Sequence, residues 1–120
     1  MKKEIEDLMS LFQDSFINEN NELILVPKTN LYFRLDDVNT IEDLIYKIFA
    51  WCSRDCYKAR PFYAEWRNNK YHNDLIDKFN EFLGVDYDID KWEWVYTEFG
   101  NGCNKEKCRE FIKKEFQLCI

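Results

Sequence analysis

Of the residues that could do chemistry, the cysteines stand first. Cys52 pairs with Cys56 and Cys103 with Cys108, Cys119 stands apart, and the chain has a single histidine, His72. Thiolates and an imidazole make a zinc donor set, because zinc takes sulfur and nitrogen ligands in a tetrahedron. Context argues against that use. Zinc hooks place their ligands in tight turns, whereas Cys52 and Cys108 fall in apolar stripes at helical spacing, where a thiol serves as a small hydrophobe. His72 falls near the middle of a Tyr71/Phe79/Phe82 face and reads as a hydrogen-bonded, half-buried histidine. No local feature pairs it with a cysteine as a nucleophile and base. The sequence has no Gly-rich phosphate loop, no Gly-x-Ser-x-Gly, no His-Glu-x-x-His, and no Ser/His/Asp set that spacing recommends. The expectation is a protein without catalysis, cofactor or metal.

Binding chemistry is better represented. The stretch from Trp51 to Tyr71 holds Arg54, Lys58, Arg60, Arg67 and Lys70 against only Asp55 and Glu65, a local charge of +3 that leaves −9 for the rest of the chain. Tyr57, Phe62, Tyr63 and Trp66 interleave with these cations. Arginine and large aromatics dominate both base stacking and protein interfaces; the plainer alternative is a connector whose rings plug the core. Acids gather at Glu81, Asp86, Asp88, Asp90, Glu93 and Glu98. Such a face can imitate a phosphate backbone and dock where another protein holds nucleic acid, or be a solvated surface containing helix caps. The run from Asp86 to Asp90 lacks the central glycine and the twelfth-position Glu of a calcium loop. Trp94 lies nearly opposite the Trp92/Val95/Tyr96/Phe99 face of a helical wheel, an interface anchor unless another element covers it. The candidate contact residues are therefore Arg54, Lys58, Arg60, Tyr63, Trp66, Arg67 and Lys70 in the basic segment, with Asp86, Asp88, Glu93 and Trp94 in the acidic one.

The elements that must position these residues follow from periodicity. Ile5, Leu8, Met9, Phe12 and Phe16 predict an amphipathic helix over 3–17 that Asn18-Glu19-Asn20-Asn21 ends. Residues 22–26 and 31–35 read as two strands joined through Pro27 to Asn30, the second alternating with Leu31, Phe33 and Leu35 on one face. Asn39 with Glu42, or Thr40 with Asp43, caps a helix bearing Ile41, Leu44, Ile45, Ile48 and Cys52. Periodicity is lost over 53–67, where Pro61 breaks any continuation. It returns over 69–83 with Tyr71, Leu75, Phe79 and Phe82, and Gly84 is a natural stop. Asp90 with Glu93 caps a helix carrying Trp92, Val95, Tyr96 and Phe99. Asn104 opens a last helix with Cys108, Phe111, Ile112 and Phe116 inward. The expected fold is one α+β, predominantly helical domain over 1–120, with about five helices packed around a two-stranded hairpin.

Ten Phe, seven Tyr and four Trp in 120 residues supply an ample core, despite 33% charged residues. A net charge of −6 argues against sequence-independent DNA binding by the whole surface. No apolar run long enough to span a bilayer occurs. The first residues carry acids where a signal peptide needs an apolar stretch, so a cytoplasmic protein with free thiols is expected.

Phe49-Ala-Trp-Cys-Ser-Arg-Asp-Cys-Tyr-Lys and Tyr96-Thr-Glu-Phe-Gly-Asn-Gly-Cys-Asn-Lys resemble segments of small accessory proteins carried by phages and mobile elements of Gram-positive bacteria, a likeness in overall character across residues 30–115. The resemblance implies a host-takeover or counter-defence factor, such as an anti-CRISPR inhibitor, that binds and blocks without catalysis in the host bacterial cytoplasm. It assigns no residue a role. The partner expected is a larger protein, a host nuclease or nucleoprotein complex. The alternative is a small nucleic-acid-binding module that uses segment 54–71.

If the cysteines are packing residues, reduced protein should carry no stoichiometric zinc, and chelators should leave Tm unchanged, because structural zinc contributes folding energy outright. Elemental analysis checks the first expectation and thermal denaturation with chelator the second.

Overall fold

The chain begins with helix α1, Lys2–Ser10, shorter than its apolar spacing suggests. The Ser10 hydroxyl donates to the Asp7 carbonyl at 2.6 Å and that of Ser15 to the Met9 carbonyl at 3.0 Å, an alternative to helical continuation that serines offer readily. Successive tight turns then bring Phe12 into the core. Phe16 is carried instead onto an edge strand, 47% exposed. In this computed structural model the described residues are 1–27, 31–58, 70–99 and 105–116, and the side chains of 31, 51–58, 70–74 and 96 are not among them.

That edge strand is β1, Phe16–Ile17, absent from the sequence-based expectation. The Asn-rich run after it is a turn. Asn18 Oδ1 accepts from the backbone N–H of Asn20 and Glu22 at 2.9 and 3.0 Å, and Asn21 adopts a left-handed φ of 58°, which asparagine tolerates better than most residues. The turn leads into β2, Glu22–Val26, which pairs antiparallel with β3, Leu31–Arg34. The sheet therefore has three strands in the order β1-β2-β3. Leu23, Leu25, Phe33 and Leu35 are buried, while Arg34 points to solvent, as strand alternation requires.

Helix α2, Ile41–Lys58, starts with the second of the two anticipated caps. Thr40 Oγ1 accepts from the Asp43 N–H at 3.1 Å, and Asp43 Oδ2 accepts from the Thr40 N–H at 3.1 Å and the Asn39 N–H at 3.0 Å. Each side chain satisfies donors that a helix start leaves orphaned. The helix continues to residue 58, beyond the point where its apolar spacing fades. Leu44, Ile45, Ile48 and Phe49 are buried along it, and α2 packs against β3 and the two last helices.

Helix α3, Lys70–Leu83, buries Leu75, Ile76 and Phe79. It closes at Gly84, whose φ of +72° a side chain would strain. The Val85 N–H returns to the Asn80 carbonyl at 3.0 Å, the wrapped C-terminal turn that glycine permits. Helix α4, Ile89–Phe99, is capped by Asp88, not by the anticipated Asp90: Asp88 Oδ1 accepts from the Lys91 N–H at 2.8 Å. Helix α5, Lys105–Glu115, buries Cys108 and Ile112. The described residues thus form one globule with five helices and a small antiparallel sheet, an α+β helical fold. Among them no helix is long and apolar enough to cross a membrane.

The core is aromatic at its centre. Trp92 is fully buried between Phe49 at 5.9 Å, Phe79 at 6.1 Å and Tyr87 at 5.8 Å between ring centroids. Its indole N–H donates to Asn80 Oδ1 at 2.8 Å, and Asn80 Nδ2 donates to the Tyr87 carbonyl at 2.8 Å. Asn80→Ala would orphan a buried donor and a buried acceptor, each costing about 1–3 kcal/mol. A loss of about 2–6 kcal/mol in urea denaturation is expected, large against typical domain stability.

Candidate partner-binding face

Two places could carry function among the described residues. The first is a shallow cleft between α2 and α5, lined in part by Glu42, Asp43, Tyr46, Lys105, Cys108 and Arg109. Its charges are already engaged. Arg109 Nε lies 2.8 Å from Glu42 Oε1, Asp43 is used in the α2 cap, and the Lys105 ammonium stands 5.7 Å above the Tyr46 ring. Burial, and secondarily the Glu42 carboxylate, push the Cys108 thiol from its ordinary 9.0 up to about 11. A nucleophilic cysteine needs the opposite shift, so this thiol is a packing group. Among the described residues, no group of three or more His, Cys, Asp or Glu could hold a metal ion.

The second place is the flank of α4. Trp94 is 45% exposed, and its ring stands edge-on to Phe99 at 5.7 Å and to Phe111 of α5 at 5.8 Å. Phe99 and Phe111 stack at 4.6 Å. Trp94 therefore belongs to the seam between α4 and α5 and is not an isolated ring opposite the core face. The Lys91 ammonium, one helical turn earlier, lies 4.4 Å from the Trp94 ring, 5.5 Å from Tyr87 and 6.0 Å from Phe111. Tyr87 is pinned in turn, its hydroxyl donating to Glu115 Oε1 at 2.6 Å. Burial and then that carboxylate push the phenol's pKa well above its ordinary value.

On the α4 side of this aromatic seam the surface is acidic, while α5 brings five cations against three acids. Asp86 and Asp88 are exposed, Glu93 and Glu98 are half-buried, and Glu98 follows Trp94 by four residues on the same flank. Of the sequence-based candidates, the structure gathers Asp86, Asp88 and Trp94 on or next to α4. Glu93 lies round the helix from Trp94. Arg54 and Lys58 fall in the last turns of α2 and Lys70 opens α3, but their side chains, and all of Arg60, Tyr63, Trp66 and Arg67, lie outside the described residues. So do Tyr71 and His72 as side chains, and Cys103 and Cys119 altogether. Lys91 and Phe111 were not singled out by sequence. The i−3 spacing of Lys91 from Trp94 was a readable signal; the approach of Phe111 was not.

No protein-family model, curated protein or solved structure matches this chain.

The raised pKa of the Cys108 thiol makes stability depend on pH. Because the folded value lies above the unfolded one, the protonated thiol contributes stability fully below pH about 9, and that contribution is lost as pH rises through about 11. Cys108→Ala should flatten the stability profile in that window, measured by denaturant titration from pH 8 to 11. Site-resolved alkylation at pH 8 should label Cys108 at least about 100-fold more slowly in folded than in unfolded protein, following thiolate abundance.

Proposed function

We propose that this protein is a non-enzymatic binding protein that occludes a surface of a larger, nucleic-acid-handling protein in the bacterial cytoplasm, in the manner of a phage-borne anti-CRISPR inhibitor. One observation carries the binding role: Trp94 is half-exposed yet held on two sides by buried or half-buried rings. An exposed indole already fixed in place loses little freedom on docking, and large aromatic anchors of this kind dominate interface energies. The acidic surround supports a target surface that is basic, such as one that holds nucleic acid. The likeness of two segments to phage accessory proteins supports the inhibitor role.

Affinity capture from the native host should retain a larger protein on the wild-type chain, and Trp94→Ala should weaken that capture about thirtyfold, the equivalent of about 2 kcal/mol. The same variant should keep most of its stability, because the lost edge contacts are worth about 1–2 kcal/mol. Arg60→Ala and Arg67→Ala form the comparison arm. Loss confined to those two would move the interface to segment 54–71, and a nanomolar, strongly salt-sensitive complex with DNA or RNA alone would replace the inhibitor role with nucleic-acid binding.

A further inference from the structure

We propose that the recess formed by Tyr87, Trp94 and Phe111 is a cation subsite that takes an arginine from a basic segment of the partner protein. This rests on the binding role above and adds the partner's chemistry at that face. Three rings from three parts of the chain converge on one ammonium: Lys91 Nζ is 4.4, 5.5 and 6.0 Å from their centroids, all within cation–π range. The rings do not depend on Lys91 for their placement. Tyr87 is tied to Glu115, and Phe111 is stacked on Phe99 and bears edge-on against Trp94. The recess is thus a preformed receptor for positive charge that the chain fills with its own lysine.

That lysine is a replaceable occupant. It arrives on a flexible four-carbon stem from the first turn of α4, and an ammonium is strongly hydrated. A guanidinium is planar, more weakly hydrated, and stacks on aromatic faces, so an incoming arginine can take the Trp94 ring while Lys91 moves into water. Charge complementarity selects the source of that arginine. Residues 81–99 carry six acids against one lysine, a net −5, and Asp86 and Asp88 at the border are exposed. On the α4 side the border attracts a basic polypeptide and repels nucleic acid.

The test uses the intact chain and three peptides of equal length in which glycine alternates with arginine, lysine or serine, with titration calorimetry as the readout for every variant and the indole N–H signal of Trp94 as a second readout where the indole is present. The arginine peptide is expected to shift that signal and to bind at least threefold more tightly than the lysine peptide, with no binding by the serine peptide. Trp94→Ala should lower arginine-peptide affinity at least tenfold while the other amide signals keep their dispersion, and Trp94→Phe should fall between. Lys91→Gln, which empties the recess, should tighten binding more than Lys113→Gln, which changes net charge equally on the side of α5 away from Phe111. Equal binding of the arginine and lysine peptides, or affinity unchanged by Trp94→Ala, would overturn the subsite and leave only diffuse attraction. Weaker binding by Lys91→Gln would make Lys91 part of the receptor and overturn its role as occupant. A dimer in sedimentation that Trp94→Ala dissociates would show a second copy in the recess and also overturn the proposal. Trp94-dependent capture without arginine preference removes the subsite and leaves the binding role standing; arginine-selective binding without any captured partner does the reverse.

Discussion

A buried indole N–H must donate to something, and in this protein Asn80 alone answers for Trp92 at 2.8 Å. Much of the arrangement depends on that demand. Asn80 cannot turn away, because its amide also holds the Tyr87 carbonyl, and an asparagine with both ends engaged has one orientation. The segment leaving Gly84 is thereby tied to the last turn of α3. Tyr87, at the end of that segment, reaches Glu115 and so fixes α5. Asn80 and Tyr87 together link α3, α4 and the last helix, and a buried network satisfied in full favours a single packing. With Trp92 inward, helical geometry places Trp94, two residues later, on the flank that meets α5.

The elements legible in the sequence were those with sustained apolar period. Leu44, Ile45 and Ile48, Leu75 and Phe79, Trp92, Val95 and Phe99, and Cys108 with Ile112 all face the core as their spacing implies. The hairpin of β2 and β3 was equally plain. Errors arose where side chains bond to the backbone. Ser10 and Ser15 stop α1 early although Phe12 and Phe16 continue the helical spacing, and the Asn18 side chain builds a strand-joining turn from a run that reads as a mere helix end. Asp88 and Asp90 are equivalent by composition, and only the chain path after Gly84 decides that Asp88 is the cap. At the site, Trp94 and its acidic neighbours lie within one short segment and could be seen together. The recess could not, because Phe111 approaches from a helix more than ten residues away and had been assigned wholly inward. The basic candidates from Arg60 to Arg67 fall outside the described residues.

Among the described side chains, the Cys108 thiol is buried and held protonated, the buried Glu42 carboxylate is paired to Arg109, and the buried Asn80 amide is consumed by the core. At α4 the half-exposed Trp94 ring is held edge-on by Phe99 and Phe111. Rigidity matters there, since an anchor that is already ordered keeps more of its contact energy as affinity.

The most direct test of a partner face on the flank of α4 is in-cell photo-crosslinking with a photoreactive phenylalanine analogue at position 94. Position 3 on the exposed side of α1 serves as the reference, and position 63 probes the basic segment. The expected result is a single large adduct from position 94, containing one protein bigger than this chain, with none from position 3. Adducts from position 63 alone, or from no position at all, would contradict the account.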